Sequence, residues 1–490
     1  MYHIPDVLED PMKKAVGVLQ AWCANPGAET FLEFEQKWRG ALMEVEREGM
    51  ALGLKALDVT VDEIEVSGVT YSRGESTFKT YVGLAGEFAV ERFLFTPNEA
   101  SEQARSICPL EVRAGMVVGL WTPCAAEVMA QSAAIMTPYE AERLIRKFGG
   151  FMPSRSSLDR LPKALSARWE SNREAWEESV RQHETLPIEA EMVTTSLDGV
   201  MVPTRETQDD ESTASKAKAE AETEGSKKVR YREASCGTVS LHDAEGERLE
   251  TIYFGRMPES KKPTLHAQLA GEVTCLFETN PDLIWNLIAD GAEENWRILG
   301  EIEKTLEDLG LKPETVNRIV DFYHASEHLK TAIDLYYGVR GAKARGVYET
   351  LRHALRHDDN GVEQVITKLT YFRNRVRKGT KARKKLTTEL GYFRKRREQM
   401  RYAEFTRRGL PIGTGVTEAA CKTLVTQRLK RSGMRWANEG GQAVLTLRSL
   451  LLSHRWPAGW SLLADSYREE VRAVRRKGHL RVIEPLPVAA

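Results

Sequence analysis

Between residues 191 and 337, apolar runs of strand length alternate with amphipathic stretches of helix length, and this alternation restricts the fold more sharply than any other feature of the sequence. EMVTTSLDGVMVP reads as a strand, and ASCGTVSLHDAEGERLETIYFG as a hairpin turning at Asp243–Gly246. TLHAQLAGEVTCLF then sets Leu265, Leu269, Val273, Leu276 and Phe277 on one helical face. DLIWNLIADG is a second core strand, EENWRILGEIEKTLEDLG a helix stopped by Gly310, RIVDFYH a third core strand, and ASEHLKTAIDLYY a helix after it. Three strands followed by alternating helices and strands predict an α+β or α/β unit, a mixed sheet covered by helices.

The flanks divide into further regions. Residues 1–118 read as helices plus a small β region, the β part lying in 68–97 where glycines break short strand-like runs. Residues 119–190 read as helices. PYEAERLIRKF places Ala141, Leu144, Ile145 and Phe148 on one face, Gly149-Gly150 ends it, and Pro153-Ser154 turns the chain into SSLDRLPKALSARWE. Two short helices about a glycine turn outline a helix-turn-helix, with Arg155, Ser156, Ser157 and Arg160 near the start of the helix that would enter the major groove; any helical hairpin gives the same outline. Residues 205–232 are charged, nearly free of aliphatics, and expected to form a disordered loop inside the 191–340 unit. Residues 341–408 are helical and basic, and 409–490 continue as helices after the GLPIGTG break.

Charge separates these regions. Residues 1–110 hold 10 Lys and Arg against 18 Asp and Glu, whereas residues 340–408 hold 21 against 7. A net +14 in so short a stretch suits a polyanion such as DNA, and equally a solvated helical face. Tyr371, Phe372, Tyr392, Phe393, Tyr402 and Phe405 lie among those charges, so the segment is expected to fold rather than trail as a basic tail. Wholesale disorder is excluded by 10 Trp, 14 Tyr and 14 Phe. No apolar run approaches the roughly 18–20 residues that cross a bilayer, and no secretory signal is visible, so no membrane partner and a cytoplasmic location are expected. The six scattered cysteines contain no CxxC pair, which argues against a zinc ribbon or a disulfide framework.

Two core strands are expected to end in Asp-Gly, at Asp198-Gly199 and Asp290-Gly291. Either dipeptide alone reads as a turn. As a pair in one α/β unit they place two carboxylates at the edge of a sheet where ligands collect, with hard oxygen donors suited to Mg²⁺ or Mn²⁺. Glu418, in the first turn of VTEAACKTLVTQRLK, is the candidate third carboxylate; an exposed Glu418–Lys422 pair is the alternative.

In order, LDG, ADGAEENW, VDFYHASEHL and GTGVTEAACKTLVTQRLKRSGMRW resemble the catalytic motifs of DDE transposases from bacterial insertion sequences, most of all the Kra-type group in the branch related to Mutator-like transposases. The likeness spans about residues 191–460. It implies a ribonuclease-H-like core, with Asp198, Asp290 and Glu418 as catalytic and metal-binding residues holding two Mg²⁺ or Mn²⁺ ions, Asp198 bridging. The basic segment then looks like an insertion domain, since 128 residues separate Asp290 from Glu418. Asp321-Phe322-Tyr323-His324 matches the branch's motif of Asp or Cys, two residues, then His, and gives Asp321 and His324 secondary roles. Arg428, Lys430 and Arg435 become candidate phosphate contacts beside Arg155 and Arg160, and Trp436 a base-stacking or core residue.

The resemblance implies cleavage of double-stranded DNA at an element's terminal inverted repeats, joining of the 3′-hydroxyl ends to target DNA, and a homo-oligomer that pairs two ends. Two metal ions about 3.5–4 Å apart suit such an in-line displacement at phosphorus. A DNA-binding relative without activity, or a ribonuclease-H-like nuclease without strand transfer, stays open as an alternative.

Overall fold

The computed structural model describes residues 4–99, 105–148, 150–205, 230–339, 342–477 and 480–486; the loop expected over 205–232 lies almost wholly outside the described residues. The chain divides into two compact units, residues 1–172 with 456–490, and residues 173–455. The first boundary falls inside the helix Arg155–Gln182, and the second cuts the region expected to run from 409 to 490. Among the described residues no helix is long and apolar enough to cross a membrane.

In the first unit, the helix Phe31–Lys55 starts at a capping box in which Thr30 accepts from the Glu33 amide and the Glu33 carboxylate accepts from Thr30 N–H. The helix backs an antiparallel sheet of β1 (Glu63–Val66), β2 (Val69–Gly83), β3 (Gly86–Pro97) and two C-terminal strands, Val471–Lys477 and Leu480–Pro485. The expected helical tail therefore ends as a hairpin. VRAVRRK alternates small apolar with basic residues, and Val471 and Ala473 are buried along β1 in the register Ile64↔Ala473. The helices Pro138–Phe148 and Arg155–Gln182 form where expected, but only Ala141 and Ile145 of the proposed face are buried. Leu144 and Phe148 are 41% and 63% exposed, because they border an open apolar cleft of about 460 Å³ instead of packing against a neighbour.

The second unit holds a five-stranded sheet of β4 (Met192–Thr204), β5 (Arg230–His242), β6 (Arg248–Arg256), β7 (Ile284–Ala289) and β8 (Val316–Val320), ordered β6-β5-β4-β7-β8. β4, β5 and β6 run antiparallel, while β7 is parallel to β4 and β8 to β7. The expected mixed α+β arrangement is present. One strand stops early: RIVDFYH leaves the sheet at Val320, because the Asp321 side chain accepts the His324 amide and caps the helix Phe322–Tyr337. A capping carboxylate here outweighs the strand preference of Phe-Tyr.

Helices Pro263–Thr279 and Glu293–Asp308 cover one face of the sheet, with Leu265, Leu269, Val273, Ile298 and Leu306 packed on Trp285 and Leu287. On the other face, Ile288, Ile319 and the helix Phe322–Tyr337 share one core with the basic helices Ala342–His357, Gly361–Arg375, Lys381–Lys395 and Tyr402–Arg407. Phe372 and Phe393 are fully buried in it, and Tyr402 Oη donates to Val320 O at 2.9 Å. Each such aromatic contributes about 2–3 kcal/mol of burial. The basic segment is folded, as its aromatics implied, and it has no core separate from the sheet.

Candidate active site

Register brings the two aspartates together. The β4–β7 ladder ends at Ser196↔Ile288; Asp198 lies two residues further along β4 and Asp290 just past the end of β7, near enough for the Asp290 charge to raise the Asp198 carboxyl. β7 pairs with β8 at Ala289↔Val320, so Asp321 stands beside Asp290 in turn, its amide donating to Ala289 O at 3.0 Å. Three aspartates thus cross one sheet edge, and their surroundings divide them.

Asp198 Oδ1 accepts the Gly199 amide at 2.7 Å, and its Oδ2 faces the Cys421 thiol at 3.7 Å. Burial pushes its carboxyl above the ordinary carboxylate range, the Gly199 amide pulls it back, and the Asp290 charge pushes it up again. The Cys236 thiol together with burial holds the Cys421 thiol far above its ordinary value, so it stays protonated toward Asp198. Asp290 Oδ1 accepts from the Ala292 amide and from Asn295 Nδ2, each at 3.0 Å, and among the described residues its Oδ2 accepts nothing. The Lys262 ammonium, buried, lies 2.8 Å from Glu233 Oε1 and 3.5 Å from Asn295 Oδ1. It pairs with Glu233, whose charge is among those that raise the Asp198 carboxyl.

The two Asp-Gly pairs differ: β4 continues past Asp198 to Thr204, whereas Asp290 accepts the Ala292 amide in a turn between β7 and the helix Glu293–Asp308. A Cβ on Gly199 would come within 2.3 Å of the Glu233 carboxyl, and one on Gly291 within 2.2 Å of the Tyr392 ring. The Glu233 side chain, half exposed, could swing aside from a Cβ on Gly199, whereas the Tyr392 ring is packed on His328 and crowds Gly291.

Asp321 is buried to 1% exposure and fully engaged. Its Oδ1 caps the helix, and its Oδ2 accepts both the amide and, at 2.5 Å, the hydroxyl of Thr414. Asp321, expected to have a secondary catalytic or DNA-contacting role, here ties β8 to the loop before Glu418. His324 is partly exposed, one turn into the helix.

Glu418 lies on the helix Gly415–Ala420, which continues through a π-helical stretch, Cys421–Thr426. Thr417 anchors this helix through a buried 2.8 Å hydroxyl contact to Thr238 of β5, and Cys421 meets Asp198. Glu418 itself is exposed and, among the described residues, makes no ion pair with Lys422. Among the described residues no three His, Cys, Asp or Glu side chains are grouped to hold a metal ion. The expected triad is thus a pair plus a glutamate on the surface of the adjoining helix. The residue turned onto Asp198 from that helix is Cys421, because the apolar side carrying Ala420, Leu424 and Val425 packs against the sheet and leaves Glu418 toward solvent.

Of the proposed phosphate contacts, Lys430 and Arg435 are exposed. Arg428 is 2% exposed, with its guanidinium 5.2 Å over the Trp436 ring, so it supports the core rather than offering a surface charge. Trp436 donates from Nε1 to Leu429 O at 2.9 Å and from its amide to Pro203 O at 3.0 Å, joining the end of β4. In the first unit Arg155 pairs with Glu142 at 2.7 Å and stacks on Tyr139, and Arg160 Nε donates to Ser156 O. The sequence reading missed Cys421, Glu233, Lys262 and Asn295. None carries a local signal, because register and helix docking alone bring them to the aspartates.

No family model and no curated protein matches the chain. Among solved structures, the Drosophila P element transposase strand transfer complex is similar at 12% identity over 70% of this chain and 83% of that one, with a TM-score of 0.23. A likeness that slight carries no argument, and the resemblance to the Kra-type group rests on the motifs quoted above.

Proposed function

We propose that the chain is a metal-dependent phosphoryl transferase acting on DNA, a DDE-type transposase with a ribonuclease-H-like core. The observation that carries this reading is the nearness of Asp198, on β4, to Asp290, just past the end of the adjacent parallel strand β7. The sheet order, an antiparallel three-stranded meander extended by two parallel strands, is the one expected of that core. The donor chemistry fits a hard divalent cation: two carboxylates lie within electrostatic reach, one raised by burial and by the other's charge, the second with an oxygen that accepts nothing among the described residues. Asp198 and Asp290 would hold such an ion, with Glu418 as the further candidate ligand. A bound Mg²⁺ or Mn²⁺ would supply Lewis-acid stabilisation of charge on the attacking and leaving oxygens.

The chain's own residues supply the rest. Asn295 and the Ala292 amide hold Asp290 by one oxygen and leave the other toward the site. Asp321 holds Thr414 and so the start of the Glu418 helix, while Lys430 and Arg435 offer exposed charge for phosphates. Double-stranded DNA as partner, strand transfer to a target and homo-oligomerisation belong to the same proposal.

The test is cleavage and joining of end-labelled DNA carrying the flanks of the gene, with Mg²⁺ or Mn²⁺. Asp198→Ala and Asp290→Ala should abolish both activities while DNA binding survives; cleavage at the parental rate by either variant refutes the assignment. A second reading, a DNA-binding protein that does not cut, is favoured by the exposure of Glu418. It predicts DNA binding, no cleavage by the parent chain, and indifference to Glu418→Gln.

A further inference from the structure

A second constellation lies on the helix that begins at Asp321. His328 Nδ1 is 2.6 Å from Glu389 Oε2, and His328 Nε2 is 3.2 Å from His324 Nε2. The His328 ring stacks on Tyr392, centroids 3.9 Å apart. Glu389 and Tyr392 belong to the basic helix Lys381–Lys395, and Tyr392 also lies against Gly291, next to Asp290. Arg396 donates to Gly291 O at 2.5 Å and sits over the Tyr392 ring. The Tyr392 hydroxyl is buried and, among the described residues, has no hydrogen-bond partner. The insertion thus reaches back to the sheet edge that bears the aspartates.

One set of tautomers satisfies both contacts with Glu389 ionised and His328 neutral. An ionised Glu389 can only accept, so His328 Nδ1 carries the hydrogen. Neutral His328 then has a lone pair on Nε2, so the facing His324 Nε2 must donate. The lone pair of His324 is left on Nδ1, on a side chain 37% exposed, with Glu327 Oε2 3.9 Å from that nitrogen. Asp321, three residues earlier, is spent on the helix cap and Thr414, and does not compete for the ring.

We propose that Glu389 and His328 form a relay that holds His324 as an outward-facing proton acceptor at this sheet edge, serving the phosphoryl transfer proposed above, on which the inference rests. As the oxygen of a water or 3′-hydroxyl bonds to phosphorus and the bond to the leaving oxygen breaks, His324 Nδ1 takes the nucleophile's proton. The resulting imidazolium keeps Nε2–H on His328, whose Nδ1–H stays on Glu389, and that carboxylate offsets the new charge without becoming protonated. The proton later returns to the leaving oxygen or to solvent. His324 is the proton carrier, and His328 and Glu389 are positioning residues.

Two measurements test this. In the full chain labelled with ¹⁵N-histidine, with His324→Gln and His328→Gln used to assign signals, long-range ¹H–¹⁵N spectra should show His328 protonated at Nδ1 and His324 at Nε2. Either ring in the opposite tautomer overturns the relay, whatever the enzymatic activity. In cleavage assays with Mg²⁺, Glu389→Gln should lower kcat about tenfold with KM for DNA unchanged, and Glu389→Asp should recover part of the loss. An unchanged kcat, or a loss matched by loss of DNA binding, overturns the role in proton transfer. No cleavage by the parent chain overturns the phosphoryl-transfer reading itself, and the tautomers then decide the relay separately.

Discussion

Asp198→Asn is expected to stabilise the protein while removing its activity. Carboxylates on neighbouring strands lie about 5 Å apart, and at an effective dielectric of about 20 they repel by about 3 kcal/mol. Both aspartates are partly exposed, so solvent screening reduces the gain on neutralising one to about 1–2 kcal/mol. Asparagine keeps an oxygen for the Gly199 amide, so no hydrogen bond is lost there. In a unit of this size the gain corresponds to a rise in Tm of about 2–8 °C, read by scanning calorimetry or differential fluorimetry. The pH dependence has a definite sign. The folded carboxyl of Asp198 is raised above its ordinary value of 3.8, so the fold binds its proton more tightly than the unfolded chain does. Its contribution to stability is therefore present at low pH and is lost as pH climbs from that ordinary value through the raised one, and the advantage of Asp198→Asn should widen over the same window. Mn²⁺ should stabilise the parent, by about 2.7 kcal/mol at a hundredfold excess over its dissociation constant, and the variant far less. A lower Tm for Asp198→Asn, or an equal Mn²⁺ shift in both proteins, would refute the paired-carboxylate argument.

Other perturbations separate the structural devices around the site. Arg455→Met leaves the buried Glu272 carboxylate without its two-point partner, whose nitrogens lie at 2.8 and 2.7 Å, and should cost about 3–5 kcal/mol in denaturant unfolding; adding Glu272→Gln should restore most of that. Gly291→Ala forces a methyl into the Tyr392 ring and should destabilise by about 1–3 kcal/mol, with Tyr392→Ala relieving the clash. Thr417→Val strands the Thr238 hydroxyl in the core and should cost about 1–3 kcal/mol, loosening the Glu418 helix as seen by hydrogen exchange.

Much of the second unit could be read from the chain alone. Strand and helix identities there are local properties, set by apolar spacing and turn residues, so β4 to β8 and the intervening helices fall where periodicity places them. The basic segment was legible as folded because aromatics lie among its charges. Where local signals compete the reading slips: DFYH looks like strand, yet an aspartate able to cap won the position for a helix, and the C-terminal tail pairs with β1, some 400 residues away in the chain, which no local pattern reveals.

The aspartates themselves are written in the sequence, two Asp-Gly dipeptides in one α/β unit and a glutamate after a glycine break. Only the tertiary structure decided how they meet. Strand register set Asp198 beside Asp290 and added Asp321, and burial then made Asp321 a strut. Docking of the 415–429 helix turned Cys421 rather than Glu418 onto Asp198. The physical reason is one of range: helix and strand propensity arise among residues a few positions apart, whereas charge proximity and desolvation depend on which distant surfaces the packed core brings into contact.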